Sequence, residues 1–397
     1  MADFAAVVRR YMGEREMSLR ALGRASGYDA GYLSRVLGGH KPPTPYLATI
    51  LDEALTAGGA IIAAAAGNPS ARTIGDAEKI RQGLDDTLGV GTMSEAALAD
   101  WDRTVASYGR ATRDRAAVIL LEDLTADLGE LNRTIGRHRS ASGLRGLTRA
   151  AAQMSGLVCL TLIKTGDRQA YRRWGRTARL AASEAGDKII CSWVVAEEAY
   201  GYYYDGDLPG AIDTAQHAQE LAAGMPCVGA ALAAALEMRA HAAMGSDMLT
   251  RAALDRAEVI LGELDGNDLD ASAFGYNEAQ LRFHEGSAFT QLGDTRAALA
   301  AQDRALELCA PGDYMDWALI RLDRAVCLLL DGDVKGALQV AADTIKSVTP
   351  PQRVGIISTR VHELLSALDG AGHNAAHVGE LRELLLLTTV TEEAASP

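Results

Sequence analysis

A glycine followed by an aspartate recurs between residues 166 and 333 and divides this region into helical segments of similar length. The pairs begin at Gly166, Gly206, Gly293 and Gly332, and a weaker Gly-Ser pair begins at Gly245. The intervals between successive pairs are 40, 39, 48 and 39 residues. Glycine readily takes the left-handed conformation that ends a helix, so each pair predicts a helix end. A chain punctuated at this period is expected to stack pairs of helices.

Small residues follow these pairs at matching offsets, where they would let neighbouring helices approach closely. They are Ala211 and Ala218, Ala298 and Ala305, and Ala337. The pattern resembles tetratricopeptide (TPR) repeats over roughly residues 141–350, although the usual aromatic and proline positions are mostly missing. The resemblance implies a TPR-like right-handed α-solenoid.

Length and composition favour an all-α protein of more than one domain. The chain has 397 residues, enough for two or three domain-sized units. Hydrophobic residues make up 48% of it, and only ten residues are proline. We predict a first domain at residues 1–66, a linker at 67–93 and a helical body at 94–397.

Residues 18–44 predict two short helices that meet across a glycine turn. Ser18 and Asp29 stand where a side-chain oxygen caps the start of a helix, and Gly27 supplies the turn between the helices. Thr44 begins a further helix after two prolines. The expected buried faces consist of Leu22 and Ala25 in the first helix and Leu33 and Val36 in the second. Such a pair of helices places its second member in the major groove of DNA.

Several fixed positions of this segment match one known pattern. They are Ser18-x-x-x-Leu22, Gly27, Tyr32-Leu33-Ser34-Arg35, Gly39 and the exit His40-Lys41-Pro42-Pro43-Thr44. These residues resemble the helix-turn-helix of the Cro/C1 (XRE) repressor family. The resemblance implies a homodimer that binds a palindromic operator in double-stranded DNA. The candidate DNA-binding residues are Arg20, Tyr28, Asp29, Ala30, Tyr32, Ser34, Arg35, His40 and Lys41.

The charge of the chain is unevenly distributed. Residues 1–45 carry seven Lys or Arg and four Asp or Glu, a net charge of +3. Because the whole chain has a net charge of −13, the remainder carries −16. This distribution argues against a general nucleic-acid binder and suits a protein that touches DNA at one end only.

A Cro/C1-type head on a TPR-like body resembles bacterial one-component regulators, including the peptide-sensing RRNPP group. The resemblance implies a small-molecule or peptide effector on the concave face, which the first helix of each pair lines. The candidate ligand-binding residues are Trp193, Glu197, Tyr200, Tyr203, Asn277, Gln280, Phe283 and Ser287. Aromatic walls with a few polar groups are typical of such sites, but rings such as Tyr200 and Tyr203 also pack as core. With only five asparagines, the chain offers few amides to bind a peptide backbone.

No sequence signature of an enzyme is present. The motifs GxxxxGK[ST], HExxH and GxSxG are missing, and the five cysteines are widely spaced, so we predict no catalytic residues, metal site or cofactor.

The arginines around Trp174 are interpreted as a solvated face, with an anion site as the alternative. The longest apolar run, residues 60–66, is too short to cross a membrane, so we expect a cytoplasmic protein. The alternative function is a protein-interaction module of the antitoxin or anti-activator type, with DNA binding secondary.

Overall fold

The computed structural model describes residues 4–15, 17–26, 28–39, 41, 43–66, 94–137, 140–353 and 355–370. These residues form α-helices, two short 3-10 helices and their connections, without a β-strand, which confirms the all-α prediction. The chain divides into two compact units, residues 1–91 and 92–397. The predicted linker at 67–93 lies outside the described residues.

The N-terminal unit contains five described helices around one apolar core. They are α1 (Phe4–Glu14), α2 (Leu19–Ser26), α3 (Ala30–Leu37), α4 (Pro45–Ala54) and α5 (Ala60–Ala66). The side chains at the centre of the core are almost entirely inaccessible to solvent. They include Val8, Leu22, Leu33, Leu47, Leu51, Leu55 and Ile61. At about 1.5–3 kcal/mol for each fully buried aliphatic side chain, this core is the main stabilising contribution to the unit.

The predicted caps of this unit are confirmed. Ser18 Oγ accepts a hydrogen bond from the backbone N–H of Ala21 at 3.2 Å. Asp29 Oδ1 accepts from Tyr32 N at 3.0 Å, and Thr44 Oγ1 accepts from Leu47 N at 3.1 Å. Each cap satisfies a donor that the first turn of a helix leaves unpaired. The short helices of the unit therefore begin at the positions that the sequence indicated.

One predicted core position of α2 is wrong. Ala25 is exposed, and Ser26 is buried instead. Ser26 lies four residues after Leu22 and therefore on the same face of the helix. Its hydroxyl donates to Leu22 O at 2.7 Å, which satisfies this polar group inside the core. Gly27, the predicted turn residue, lies outside the described residues.

The second unit is built from long helices that follow one another with short connections. They are α6 (Glu95–Asp114), α7 (Ala117–Arg137), α8 (Ala141–Thr165), α9 (Arg168–Ala185), α10 (Lys188–Tyr204), α11 (Leu208–Ala222), α12 (Val228–Ala243), α13 (Asp247–Glu263), α14 (Glu278–Leu292), α15 (Thr295–Leu308), α16 (Tyr314–Leu330), α17 (Val334–Ser347) and α18 (Ile356–Gly370). The 3-10 helices are Gly266–Leu269 and Pro350–Gln352.

Each predicted Gly-Asp pair joins the two helices of one hairpin. All five glycines of the series have φ between +74° and +86°, the left-handed region that glycine adopts without strain. The aspartates cap the helix that follows, as in the bond from Ala170 N to Asp167 Oδ1 at 2.9 Å. Ser246, in the weaker pair, makes no side-chain cap. Gly186-Asp187, which the repeat spacing did not include, has the same geometry between α9 and α10.

The hairpins pack side by side in two layers. The first helices of successive hairpins, α8, α10, α12, α14 and α16, contact one another and form the inner layer. The helices α9, α11, α13, α15 and α17 each pack on their own hairpin partner. The predicted small residues are buried between the two layers. Ala211, Ala218, Ala298, Ala305 and Ala337 are all at most 1% exposed.

The two ends of the second unit meet. Helix α6 contacts α16, and α8 contacts α18, although these helices are far apart in the sequence. The guanidinium of Arg113 on α6 lies 2.6 Å from Asp316 Oδ2 and 3.3 Å from Asp313 Oδ2. These ion pairs close the inner layer, because they join its last helix, α16, to α6, which contacts its first helix, α8.

One described helix, α8, is long and apolar enough to cross a membrane by length and composition. However, 67% of its most apolar window is buried within the protein. Burial of this kind is typical of a core helix in a soluble protein, where neighbouring helices cover the apolar side chains.

Candidate functional site

The N-terminal unit exposes one side of α3. Ser34 and Arg35 are exposed, whereas Leu33, Val36 and Leu37 are buried. Lys41, beyond the end of α3, is also exposed. The outward side of this helix is therefore polar and basic, and its inward side anchors it to the core.

The aromatic residues at the start of α3 are arranged against each other. The rings of Tyr28 and Tyr32 stack with their centroids 5.5 Å apart, and Lys41 Nζ lies 5.4 Å from the centroid of Tyr32. Arg20 and Asp29 are exposed and Ala30 is half-buried, with the carboxylate of Asp29 engaged as the cap of α3. Eight of the nine candidate DNA-binding residues are thus on or beside α2 and α3. The ninth, His40, lies outside the described residues.

The second unit contains a cavity of about 90 Å³ that is lined by the inner helices together with α6 and α18. Its apolar lining includes Ile163, Leu232, Phe283, Met315, Leu319 and Ile356. Its polar lining includes Arg113, Lys164, Glu197, Tyr200, Arg239, Gln280, His284 and Asp316. An apolar enclosure with a few convergent polar groups is typical of a small-molecule site.

Four of the eight candidate ligand-binding residues line this cavity. They are Glu197 and Tyr200 on α10 and Gln280 and Phe283 on α14. Their convergence follows from the packing of α10 and α14 in the inner layer, because residues three or four positions apart share one face of a helix. Reasoning from helix faces in the sequence therefore identified the side of the cavity that α10 and α14 form.

The other four candidates lie elsewhere. Trp193, one turn before Glu197, lines a separate cavity of about 570 Å³ and donates from Nε1 to Ala273 O at 2.8 Å. Tyr203 lines a third cavity, of about 430 Å³. Asn277 caps α14 by accepting from Gln280 N at 3.3 Å. Ser287 is buried, and its hydroxyl has no hydrogen-bond partner among the described residues.

We place the candidate site at the smallest of these three cavities because unpaired buried polar atoms converge there. Within the described residues, Arg239 Nε, Gln280 Oε1 and His284 Nδ1 lack a hydrogen-bond partner. Buried polar groups are normally paired, so each exception needs an explanation. A ligand that supplies the missing partners is one such explanation.

Arg239 is the most unusual of these residues. It lies on α12 and is 1% exposed. Its two Nη atoms are each 3.4 Å from Tyr204 Oη, and its Cζ lies 4.5 Å from the ring centroid of Tyr203 and 5.6 Å from that of Phe283. The guanidinium is thus surrounded by aromatic rings, and no carboxylate of the described residues forms an ion pair with it.

His284 and Tyr200 form a polar pair beside Arg239. Tyr200 Oη lies 3.1 Å from His284 Nε2, and the ring of Tyr276 stacks on the imidazole at a centroid distance of 6.1 Å. Burial, together with the nearby Arg239 charge, lowers the pKa of His284 well below its ordinary value. Burial also raises the pKa of Tyr200 well above its ordinary value. Both side chains are therefore neutral near pH 7 and act through hydrogen bonds.

The cavity is also lined by a cluster of charged groups. Burial raises the pKa of Glu197 to about 7, although Lys164 and Arg113 oppose this effect. Lys164 Nζ donates to Thr112 O at 2.8 Å, and burial and the Arg113 charge lower its pKa. The carboxyl groups of Glu197, Asp313 and Asp316 lie near the cations Arg113 and Lys164.

Sequence reasoning did not identify Arg113, Lys164, Arg239, His284 and Asp316. For Arg239 a local signal was present, since this arginine stands in the alanine-rich helix α12, which is buried from Val228 to Ala242. A charged residue in a helix that is buried on all sides indicates a special role, because burying a charge is costly. Arg113 and Asp316 offer no such signal, since they meet only through the closure of the inner layer.

The arginines around Trp174 have partners on the neighbouring helix. Arg168 Nε and Arg172 Nη2 each lie 2.9 Å from an oxygen of Asp205, and Arg179 pairs with Glu198. These ion pairs link α9 to α10, which supports the interpretation of this cluster as a partly solvated face.

No protein-family model matches the chain, and neither a curated protein nor a solved structure is significantly similar to it. What the protein does must therefore be inferred from its own residues and their arrangement.

Proposed function

We propose that this protein is a cytoplasmic, sequence-specific DNA-binding transcription regulator whose helical body binds a small molecule or peptide. In this proposal the N-terminal unit is a Cro/C1-type helix-turn-helix domain, and α3 is its recognition helix. The second unit is a TPR-like α-solenoid that senses the effector and modulates DNA binding.

The exposed basic side of α3 is the observation that carries the proposal. Ser34, Arg35 and Lys41 are exposed, while Leu33 and Val36 are buried and hold the helix in place. A helix anchored on one side and polar on the other is suited to enter the major groove. Arginine and serine side chains donate to base edges and phosphates, which would give both affinity and sequence preference.

A homodimer is part of the proposal. One small head buries too little DNA surface for tight specific binding, so two heads on a palindrome are expected. Their half-sites would lie about 10 base pairs apart, one turn of the double helix. The effector would act by binding one state of the body better than another, since only a difference in affinity shifts such an equilibrium.

The proposal is tested by selecting binding sites from a pool of random duplexes with the full chain. We expect a palindromic consensus. Arg35→Ala should relax the preference at one base position, and Lys41→Ala should weaken binding to all sequences alike. Arg176→Ala, which removes an exposed arginine of the body, is the matched control. Recovery of no consensus, or unchanged binding by both head variants, would refute the proposal.

A further inference from the structure

We infer that the cavity beside Arg239 binds a small monocarboxylate with an apolar body, whose two carboxylate oxygens accept hydrogen bonds from the Arg239 guanidinium. The inference rests on the proposed function in that it takes the helical body to be the ligand-binding part, and it specifies the site and the chemistry of the ligand.

The first step is that the guanidinium of Arg239 has no anionic partner among the described residues. Arg239 is buried, yet its hydrogen-bond partner among the described residues is the neutral hydroxyl of Tyr204. The rings of Tyr203, Tyr204 and Phe283 stabilise the cation by cation–π contacts, with their centroids 4.5–5.6 Å from Cζ. Such contacts do not replace a carboxylate, because a buried charge is normally paired. An anion that enters the cavity supplies the missing partner.

The second step is the geometry of the free donors. Both Nη atoms of Arg239 share the single oxygen of Tyr204 at 3.4 Å, beyond the usual hydrogen-bond length, and Nε has no partner among the described residues. A guanidinium presents a planar fork of N–H groups that matches the two oxygens of a carboxylate. The fork of Arg239 is thus available for bidentate binding.

The third step is the charge of the rest of the cavity. Arg113 pairs with Asp313 and Asp316, and Lys164 lies near Glu197. Of the described residues that line the cavity, Arg113 and Lys164 are matched in number by Asp316 and Glu197, so Arg239 is the cation left without a counter-ion. One uncompensated positive charge favours a ligand with one negative charge. A phosphate dianion would add an unbalanced charge to a buried site.

The fourth step concerns the body of the ligand. The side chains of Leu232, Phe283, Met315 and Leu319 provide apolar walls, so the ligand needs apolar surface to bury. Gln280 Oε1 and His284 Nδ1 have no hydrogen-bond partner among the described residues, so polar atoms also lie beside these apolar walls. The cavity of about 90 Å³ limits the ligand to a ring or a short chain.

The inference is tested with the 397-residue chain and no DNA, using aliphatic monocarboxylates from butanoate to decanoate, benzoate and phenylacetate as probes. Each acid is compared by calorimetry with its own primary amide, which has nearly the same shape but no charge. We expect at least one acid to bind at least tenfold more tightly than its amide. If no acid exceeds its amide at concentrations up to about 10 mM, the inference is wrong.

Arg239→Met removes the charge and keeps a side chain of similar length. In this variant the preference for the acid over the amide should disappear, whereas the control Arg176→Met should keep it. Because an unpaired buried charge is lost, Arg239→Met without ligand should also unfold at a temperature about 3 °C higher. A retained preference, or a lower unfolding temperature, would contradict the inference. Since no DNA is present, this result is independent of the DNA-selection experiment.

Discussion

Tyr200 and His284 lie 84 positions apart in the sequence, yet Tyr200 Oη and His284 Nε2 are 3.1 Å apart in the structure. This contact joins α10 to α14 at the wall of the cavity. It also fixes the orientation of the imidazole, whose Nδ1 has no partner among the described residues. The polar wall of the cavity is therefore set by two side chains that local sequence does not connect.

Tyr200→Phe should destabilise the protein by about 1–2 kcal/mol, because it leaves His284 Nε2 buried without its partner. Tyr202→Phe is the control, since Tyr202 is only half-buried and its ring stays in place to face Arg172. The free energy of unfolding is measured by urea denaturation at pH 7. Equal stability of the two variants would show that the Tyr200–His284 hydrogen bond contributes nothing measurable.

Glu197→Gln should change the dependence of stability on pH. The pKa of Glu197 is about 7 in the folded protein and 4.5 as its ordinary value, so the folded state binds more protons than the unfolded state between these values. The stability contributed by this group is complete below pH 4.5 and is lost as the pH rises through 7. Between pH 5 and 8 the wild type should lose on the order of 3 kcal/mol relative to Glu197→Gln.

The measurement for Glu197 is a series of urea unfolding curves at several pH values. The exposed Glu184→Gln serves as the control and should follow the wild type throughout. If the difference between the wild type and Glu197→Gln stayed constant from pH 5 to 8, Glu197 would not titrate in this range.

Arg113→Met should destabilise the protein by about 3 kcal/mol, because it leaves the largely buried carboxylates of Asp313 and Asp316 without their cation. Arg103→Met is a matched control. Arg103 pairs with Asp100 on the protein surface, where an ion pair contributes less than about 1 kcal/mol. Thermal and urea unfolding of both variants give the comparison. If the free energy of unfolding falls no further in Arg113→Met than in Arg103→Met, the ion pairs of Arg113 do not stabilise the contact between α6 and α16.

DNA binding should depend steeply on salt. If two heads neutralise about six phosphates, the logarithm of the association constant should fall with the logarithm of the salt concentration at a slope near −5. Lys41→Ala should make the slope shallower by about 2, one phosphate for each head. The slope is measured by fluorescence anisotropy on the selected operator. A slope near zero would show that the basic residues of the head do not contact phosphates.

The parts of the fold that were predictable depend on neighbours in the sequence. A cap such as Asp29 acts on a backbone N–H three residues away, and a glycine such as Gly206 ends the helix to which it is attached. Both effects are local, so the residue type and its spacing are sufficient to predict them. The burial of Ser26 in place of Ala25 shows the limit, since the residue type alone favours the alanine.

Most of the candidate site was not predictable, because it depends on where distant helices meet. Glu197 and Gln280 were accessible to reasoning from the faces of two helices. Arg113 and Asp316 are 203 positions apart and are brought together only by the closure of the inner layer. No periodicity in the sequence determines how far a stack of hairpins turns before its ends meet.

The ion pair between Arg113 and Asp313 also has a consequence for synthesis on the ribosome. The two residues are separated by 200 positions, so the ribosome needs about 10–40 s to add Asp313 after Arg113 at 5–20 residues per second. Throughout this interval α6 lacks the carboxylates that neutralise its guanidinium. The ion pairs of α6 therefore form only after the start of α16 has been made, and the cavity that Arg113 and Met315 line is complete only after most of the second unit has been synthesised.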